Sequence, residues 1–122
     1  MFNKRIDELK QRYRDKQILA EANANYFGVE SQGMTQMRGN GLLFLTSHEL
    51  VFGMFTPATE VVIPLANIAR IDIVKWHLGK SVFKPLLKVY FINDEGAQDS
   101  VAWWIASPED WKILLEKRRE KN

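Results

Sequence analysis

Between Lys75 and Tyr90 the chain carries Lys75, His77, Lys80, Lys84 and Lys88 and not one acidic residue. Trp76 and Phe83 are interleaved with these cations. Basic side chains next to aromatic ones can seat a phosphate or a lipid headgroup, each cation contributing about 1 kcal/mol near an anionic surface. Lys75, His77, Lys80 and Lys84 are therefore the candidate anion- or lipid-binding residues. The competing reading is that these lysines solvate a polar loop while Trp76 and Phe83 close the interior.

Other reactive constellations are weak. Nucleophilic catalysis needs a hydroxyl or thiol held beside a general base. The two histidines, His48 and His77, lie on separate turns, and Ser47-His48 sits within the local polar turn T-S-H-E. The chain has no cysteine, which removes disulfides, thiolate chemistry and cysteine-based metal sites. Asp94-Glu95 and Glu109-Asp110 are adjacent pairs whose side chains point apart. Gly79-Lys80-Ser81 lacks the upstream glycine of a phosphate-binding loop. The expectation is a non-enzymatic protein with no cofactor and no metal.

A chain of 122 residues, 46% hydrophobic and 26% charged, has room for one core and the make-up of an ordered domain. A net charge of +2 is too small, averaged over a surface, to imply a nucleic-acid partner. Charges at Lys4, Arg5, Asp7 and Glu8 interrupt any leader-like apolar stretch, and no run approaches the ~20 apolar residues of a membrane span. The expected location is cytoplasmic, with peripheral membrane association if the basic loop reads lipid.

The elements that must hold that loop are visible in the periodicity. Phe2, Ile6, Leu9 and Tyr13 form one apolar stripe of a helix over 3–16. The rest of its surface carries Lys4, Arg5, Lys10, Arg12, Arg14 and Lys16 against three acids. A helix this short is marginal alone, below ~12–15 residues. It must pack on the domain, on a second copy or on a partner, so Phe2, Ile6, Leu9 and Tyr13 are the candidate partner-helix residues. Self-association into a homo-oligomer through them is the alternative function. The chain divides into this helix, 1–20, and a domain over 21–122.

Short strands are read over 22–29, 37–45, 49–55, 60–63, 68–76, 86–93 and 100–105, joined by turns instead of crossover helices, which argues an antiparallel sheet. Pro64 cannot donate a ladder bond and suits a strand end. Trp103 and Trp104 are adjacent, so a strand sends them to opposite faces. Ser107, Pro108 and Asp110 read as the N-cap, first residue and capping acid of a final helix, with Trp111, Leu114 and Leu115 on one face. Lys117, Arg118 and Arg119 suit its C-terminal dipole end.

Gly41, Leu43, Leu45, Thr46, Leu50 and Phe52, a spacer, then Ile63, Pro64, Leu65, Ile68 and Ile71 follow the order G-x-L-x-L-T-x-x-x-L-x-F … I-P-L-x-x-I-x-x-I. Over 25–117 this resembles a GRAM domain of the pleckstrin-homology-like superfamily. The resemblance implies a mainly β fold with flanking helices: a bent antiparallel barrel of about seven strands, capped by a C-terminal helix, plus the N-terminal amphipathic helix. It also implies a module that binds a protein or an anionic membrane lipid. Pleckstrin-homology domains that bind phosphoinositides usually carry several cations at the first hairpin, whereas residues 30–40 here hold only Arg38, together with Glu30.

Overall fold

The structure, a computed structural model, describes residues 3–122. Phe2 of the helical stripe lies outside the described residues. In chain order the elements are α1 (Asn3–Arg12), β1 (Ile18–Val29), β2 (Gly39–Thr46), β3 (Glu49–Met54), β4 (Glu60–Pro64), β5 (Ile68–Val74), β6 (Leu86–Ile92), β7 (Gln98–Ile105) and α2 (Pro108–Arg119), with single 3-10 turns at Glu30–Gln32 and Leu65–Asn67. Every strand pair is antiparallel, in the order β4-β3-β2-β1-β7-β6-β5.

The seven-stranded antiparallel architecture with a helix at each end is the expected one, and the sheet stays open at one seam. Pro64 ends β4 without an N–H to offer, and the 3-10 turn Leu65–Asn67 then takes the chain round a corner before β5 begins. The edges β4 and β5 stay unpaired with each other. Across the inner face α2 supplies the cover: Trp111 and Leu115 are buried in one cluster with Leu43, Phe52, Ile63, Val89 and Trp103. Arg119 Nη1 donates to the carbonyls of Ile68 and Ala69 at the β5 edge, at 3.3 and 2.5 Å. The α2 start differs from its sequence signature. Ser107 adopts φ 54°, a left-handed conformation, and its hydroxyl caps nothing; its carbonyl instead accepts from the N–H groups of Asp110 and Trp111.

The outer face explains a pattern that alternation does not. Residues 42–45 and 50–52 are continuous apolar runs, as expected of strands buried on both sides. Leu43, Leu45 and Phe52 face inward, while Leu42, Phe44 and Val51 form a second cluster on the outer side. That second cluster is covered by α1. Leu9 is fully buried in it, Ile6 and Tyr13 flank it, and the Tyr13 and Phe44 rings meet edge to face at 5.1 Å. Gly53 makes the close approach possible, since a Cβ there would lie 2.4 Å from Leu9 Cδ1. Arg5, itself buried, donates from Nε to the Met54 carbonyl at 3.2 Å. The described part of the stripe is thus taken up within the chain. Leu9 is taken up fully and Ile6 and Tyr13 in part, and α1 shares one apolar cluster with the sheet.

Candidate functional site

Two loops meet over the outer face of the sheet: residues 30–38 between β1 and β2, and residues 75–85 between β5 and β6, which leave the sheet from opposite ends. Gly28 organises both. It lies at a register shift in the β1–β7 pairing, with φ 112°, a conformation that disfavours any other residue. Its carbonyl accepts from His77 Nε2 at 2.8 Å. A Cβ at Gly28 would sit 3.1 Å from Leu78 Cδ1 and 3.0 Å from Gln36 Nε2, so both loops close directly over the backbone.

Gln36 staples the first loop. Its Oε1 accepts from the Tyr26 hydroxyl and the Val29 N–H, and its Nε2 donates to the carbonyls of Val29 and Gly33. The second loop is stapled by a tight turn. His77 and Lys80 exchange both backbone hydrogen bonds, at 3.0 and 3.1 Å, around Leu78 (φ 54°) and Gly79 (φ 73°). Lys80 Nζ then donates to the Met34 carbonyl at 3.2 Å and ties the loops together.

His77 does not face a ligand. It is 2% exposed, which removes it from the candidate anion contacts and makes it a positioning residue. Burial holds its imidazole pKa below the ordinary histidine value, with the Gly28 carbonyl bond opposing. Nδ1 is buried with no hydrogen-bond partner, so a second proton on the ring would be left unsatisfied.

Around this core the outward surface is apolar and basic. Met34 (66% exposed), Met37 (75%), Trp76 (59%) and Phe83 (88%) project from the two loops. Trp76 and Phe83 therefore do not close the interior. They meet at 6.4 Å, edge to face, and Phe83 is held at φ 60°, a strained conformation for an aromatic residue, with its N–H bonded to Ser81 Oγ. Lys75, Lys80 and Lys84 stand in or beside this surface. Among the described residues none of the three forms an ion pair; Lys84 Nζ lies 5.3 Å from the Trp104 ring centre.

The tryptophan pair separates as expected. Trp103 is in the inner core, and Trp104 lies on the outer face against Phe27, Leu86 and Ala102, covered by the 75–85 loop through Val82 instead of by a helix. The other candidate chemistry stays dispersed. His48 is an exposed turn residue whose Nδ1 meets Asn122 Oδ1, and no group of three metal-ligating side chains occurs among the described residues. Asp99 is buried at the opposite side of the 30–32 turn. Burial raises its pKa, but hydrogen bonds from Ser31, Ser100 and Asn93 outweigh that and hold the carboxyl below its ordinary value.

Sequence reasoning missed Gly28, Gln36 and the two methionines. A lone glycine within an apolar strand run was the available signal for a bulge. Met34 and Met37, apolar in an otherwise polar loop, were the signal for an exposed patch.

No protein-family model matches the chain, and no curated protein sequence matches it. Solved structures do. The C-terminal domain of an unknown protein from Leishmania infantum is similar over 93% of this chain and 96% of that one, at 17% identity and a TM-score of 0.64. The crystal structure of human RhoA in complex with the DH/PH fragment of PDZRHOGEF matches 94% of this chain at 13% identity and a TM-score of 0.63. A complex of the PDZ-RhoGEF DH/PH domains with GTP-gamma-S activated RhoA matches 88% at 11% identity and a TM-score of 0.59. This chain spans about a third of the length of those two, 32% and 30%. At such identities the likeness is one of fold. No helix among the described residues is long and apolar enough to cross a membrane.

Proposed function

We propose that this chain is a non-enzymatic binding module of the GRAM type that docks on an anionic membrane surface through the 30–38 and 75–85 loops. The observation carrying this reading is the four large apolar side chains exposed on the two joined loops, beside lysines that form no ion pair among the described residues. Singly exposed apolar residues are ordinary, but Trp76 and Phe83 in mutual contact, on a loop pinned by a buried histidine, form a rigid wedge. A tryptophan suits a membrane–water interface, where its ring is apolar and its indole N–H can stay wet. Lys75, Lys80 and Lys84 face the headgroups, and three cations at about 1 kcal/mol each amount to a partition gain on the order of 100-fold.

Sedimentation with neutral phosphatidylcholine vesicles and with vesicles containing phosphatidylserine tests the reading. The full chain binds the anionic vesicles, less so at high salt because exposed charges are screened within ~8–10 Å. Replacing Trp76 and Phe83 by Ala abolishes the binding. A full-length protein that stays in the supernatant with anionic vesicles at low salt overturns the proposal and favours a protein partner for the same surface.

A further inference from the structure

His77 ties the 75–85 loop to β1, and it is the residue type that changes charge between about pH 5 and 8. The Gly28 carbonyl can only accept, so Nε2 carries the proton of the neutral ring and Nδ1 is bare. Nδ1 is buried and has no hydrogen-bond partner. A second proton there would create an imidazolium in a site 2% exposed, with one of its two N–H groups unpaired. The charged groups around the ring do not rescue it. Lys88 on β6 and Lys80 on its own loop oppose a positive ring. Glu30, at the end of β1, favours one, but its Oε2 already accepts from the Ser100 hydroxyl at 2.8 Å.

The loop that His77 holds is strained. Leu78, Gly79 and Phe83 have φ of 54°, 73° and 60°, and two of the three non-glycine residues with positive φ among the described residues lie here. Such conformations persist only where surrounding contacts over-determine them. Three contacts do so: the His77–Gly28 bond, the Lys80 Nζ bond to the Met34 carbonyl, and Val82 against Phe27, Leu86 and Trp104. Of these, only the first is undone by a proton near neutral pH. Trp76 adjoins His77 in the chain and meets Phe83, so the exposed aromatic pair moves with the ring.

We propose that His77 is an acid-released latch: its ring takes up a second proton, leaves the Gly28 carbonyl for water and frees residues 76–84, which takes the Trp76–Phe83 wedge apart and weakens docking. The effect on docking rests on the membrane reading above; the latch itself does not. A released imidazole titrates at about 6.5, while the latched ring stays neutral because burial opposes its charge. Lowering the pH from 7.5 to 5.0 therefore shifts the equilibrium towards the released form by about 30-fold. The direction is diagnostic. Acid makes the chain more positive, which by charge alone strengthens binding to an anionic surface, whereas the latch weakens it.

Hydrogen–deuterium exchange of the full-length chain between pH 7.5 and 5.0, corrected for intrinsic exchange, tests the latch. Opening of residues 76–84 should rise about 30-fold, with α1 unchanged. His77→Gln, which can still donate to the Gly28 carbonyl but does not titrate, should give a flat profile. In the parent, 15N spectra of the ring should show the Nε2–H tautomer at pH 7.5 and a titration that coincides with loop opening. A pH-independent loop, a His77→Gln chain that keeps the parent's profile, or a ring that titrates without loop opening overturns the proposal. Sedimentation with phosphatidylglycerol vesicles, whose phosphate stays ionised throughout, separates the latch from the membrane reading. Parent binding should fall at least threefold at pH 5.0, while His77→Gln holds or gains. Parent binding that is equal or stronger at pH 5.0 overturns the regulation and leaves the membrane reading standing. If no vesicles are bound at any pH while acid still opens the loop through His77, the latch stands and the membrane reading fails.

Discussion

Two separate pieces of chain cover the outer face of this sheet, and they treat their charges in opposite ways. Over β2 and β3 the cover is α1. Its cations, and that of Lys16 just beyond its end, turn to carboxylates of the domain: Arg12 and Arg5 to Glu60, Lys10 to Glu21 and Lys16 to Glu49. Over β1, β6 and β7 the cover is the 75–85 loop, whose Val82 packs with Phe27, Leu86 and Trp104. Its cations turn to a carbonyl, an aromatic ring or solvent, and its aromatics point outward. The helix is a neutralised structural cover, and the loop is a cover left unneutralised. Surface ion pairs are individually weak, about 0–1 kcal/mol, so the difference matters less for stability than for which cations an anionic partner can reach.

If the helical cover is structural, breaking it has the largest effect. Leu9→Ala removes a fully buried side chain and is expected to cost about 2–5 kcal/mol in urea unfolding. Gly53→Ala drives a methyl into Leu9 and should destabilise by about 1–3 kcal/mol. Deleting residues 1–12 should expose Leu42, Phe44 and Val51 and yield an aggregating or unfolded protein. A truncated chain that melts like the full one would show that the helix is dispensable and reopen its use by a second copy.

The loop cover depends on backbone geometry at Gly28. Gly28→Ala forces a side chain into φ 112° and against Gln36 and Leu78, an expected loss of about 1–3 kcal/mol. Hydrogen exchange should quicken in both loops and not in α1. Equal quickening in the two places would remove the distinction between the covers.

A smaller effect separates them by pH. His77 titrates below its ordinary value in the folded chain, so the unfolded chain binds the proton first as pH falls. The stability contributed by neutral His77 is complete above about pH 6.5 and is lost as pH falls from there towards its lower folded value. Asp99, also held low, keeps its contribution until pH falls past about 4 and loses it on the way to its own depressed value. Thermal melts between pH 7.5 and 5 should decline more steeply for the parent than for His77→Gln; parallel slopes would show that His77 is not the titrating group.

How much of this was legible varies with the physics behind each part. The strands, their antiparallel pairing and both helices follow from periodicity and turn residues, and the split of Trp103 from Trp104 follows from the strand geometry alone. The open edge did not follow, since hydrogen-bond closure depends on how β4 and β5 are angled at Pro64, a tertiary property. The unbroken apolar runs 42–45 and 50–52 already implied a cover on both faces, and the Ile6, Leu9, Tyr13 stripe was the fitting cover; weighing the two together would have placed α1. The basic loop was legible as charge, but its exposure was not, because Trp76 and Phe83 read equally well as core. Gln36 was invisible, since an isolated polar residue acquires a role only once the fold sets its partners around it.

The claim that only unneutralised cations serve the membrane is tested most directly by removing three charges from either cover and comparing vesicle binding. Lys10→Gln, Arg12→Gln and Lys16→Gln form one triple variant; Lys75→Gln, Lys80→Gln and Lys84→Gln form the other. Both lose the same net charge, so general electrostatics falls equally. With phosphatidylserine vesicles at low salt, the loop variant should lose binding on the order of 100-fold while the helix variant stays within about threefold of the parent. Equal losses in the two variants, or a larger loss in the helix variant, would contradict the account.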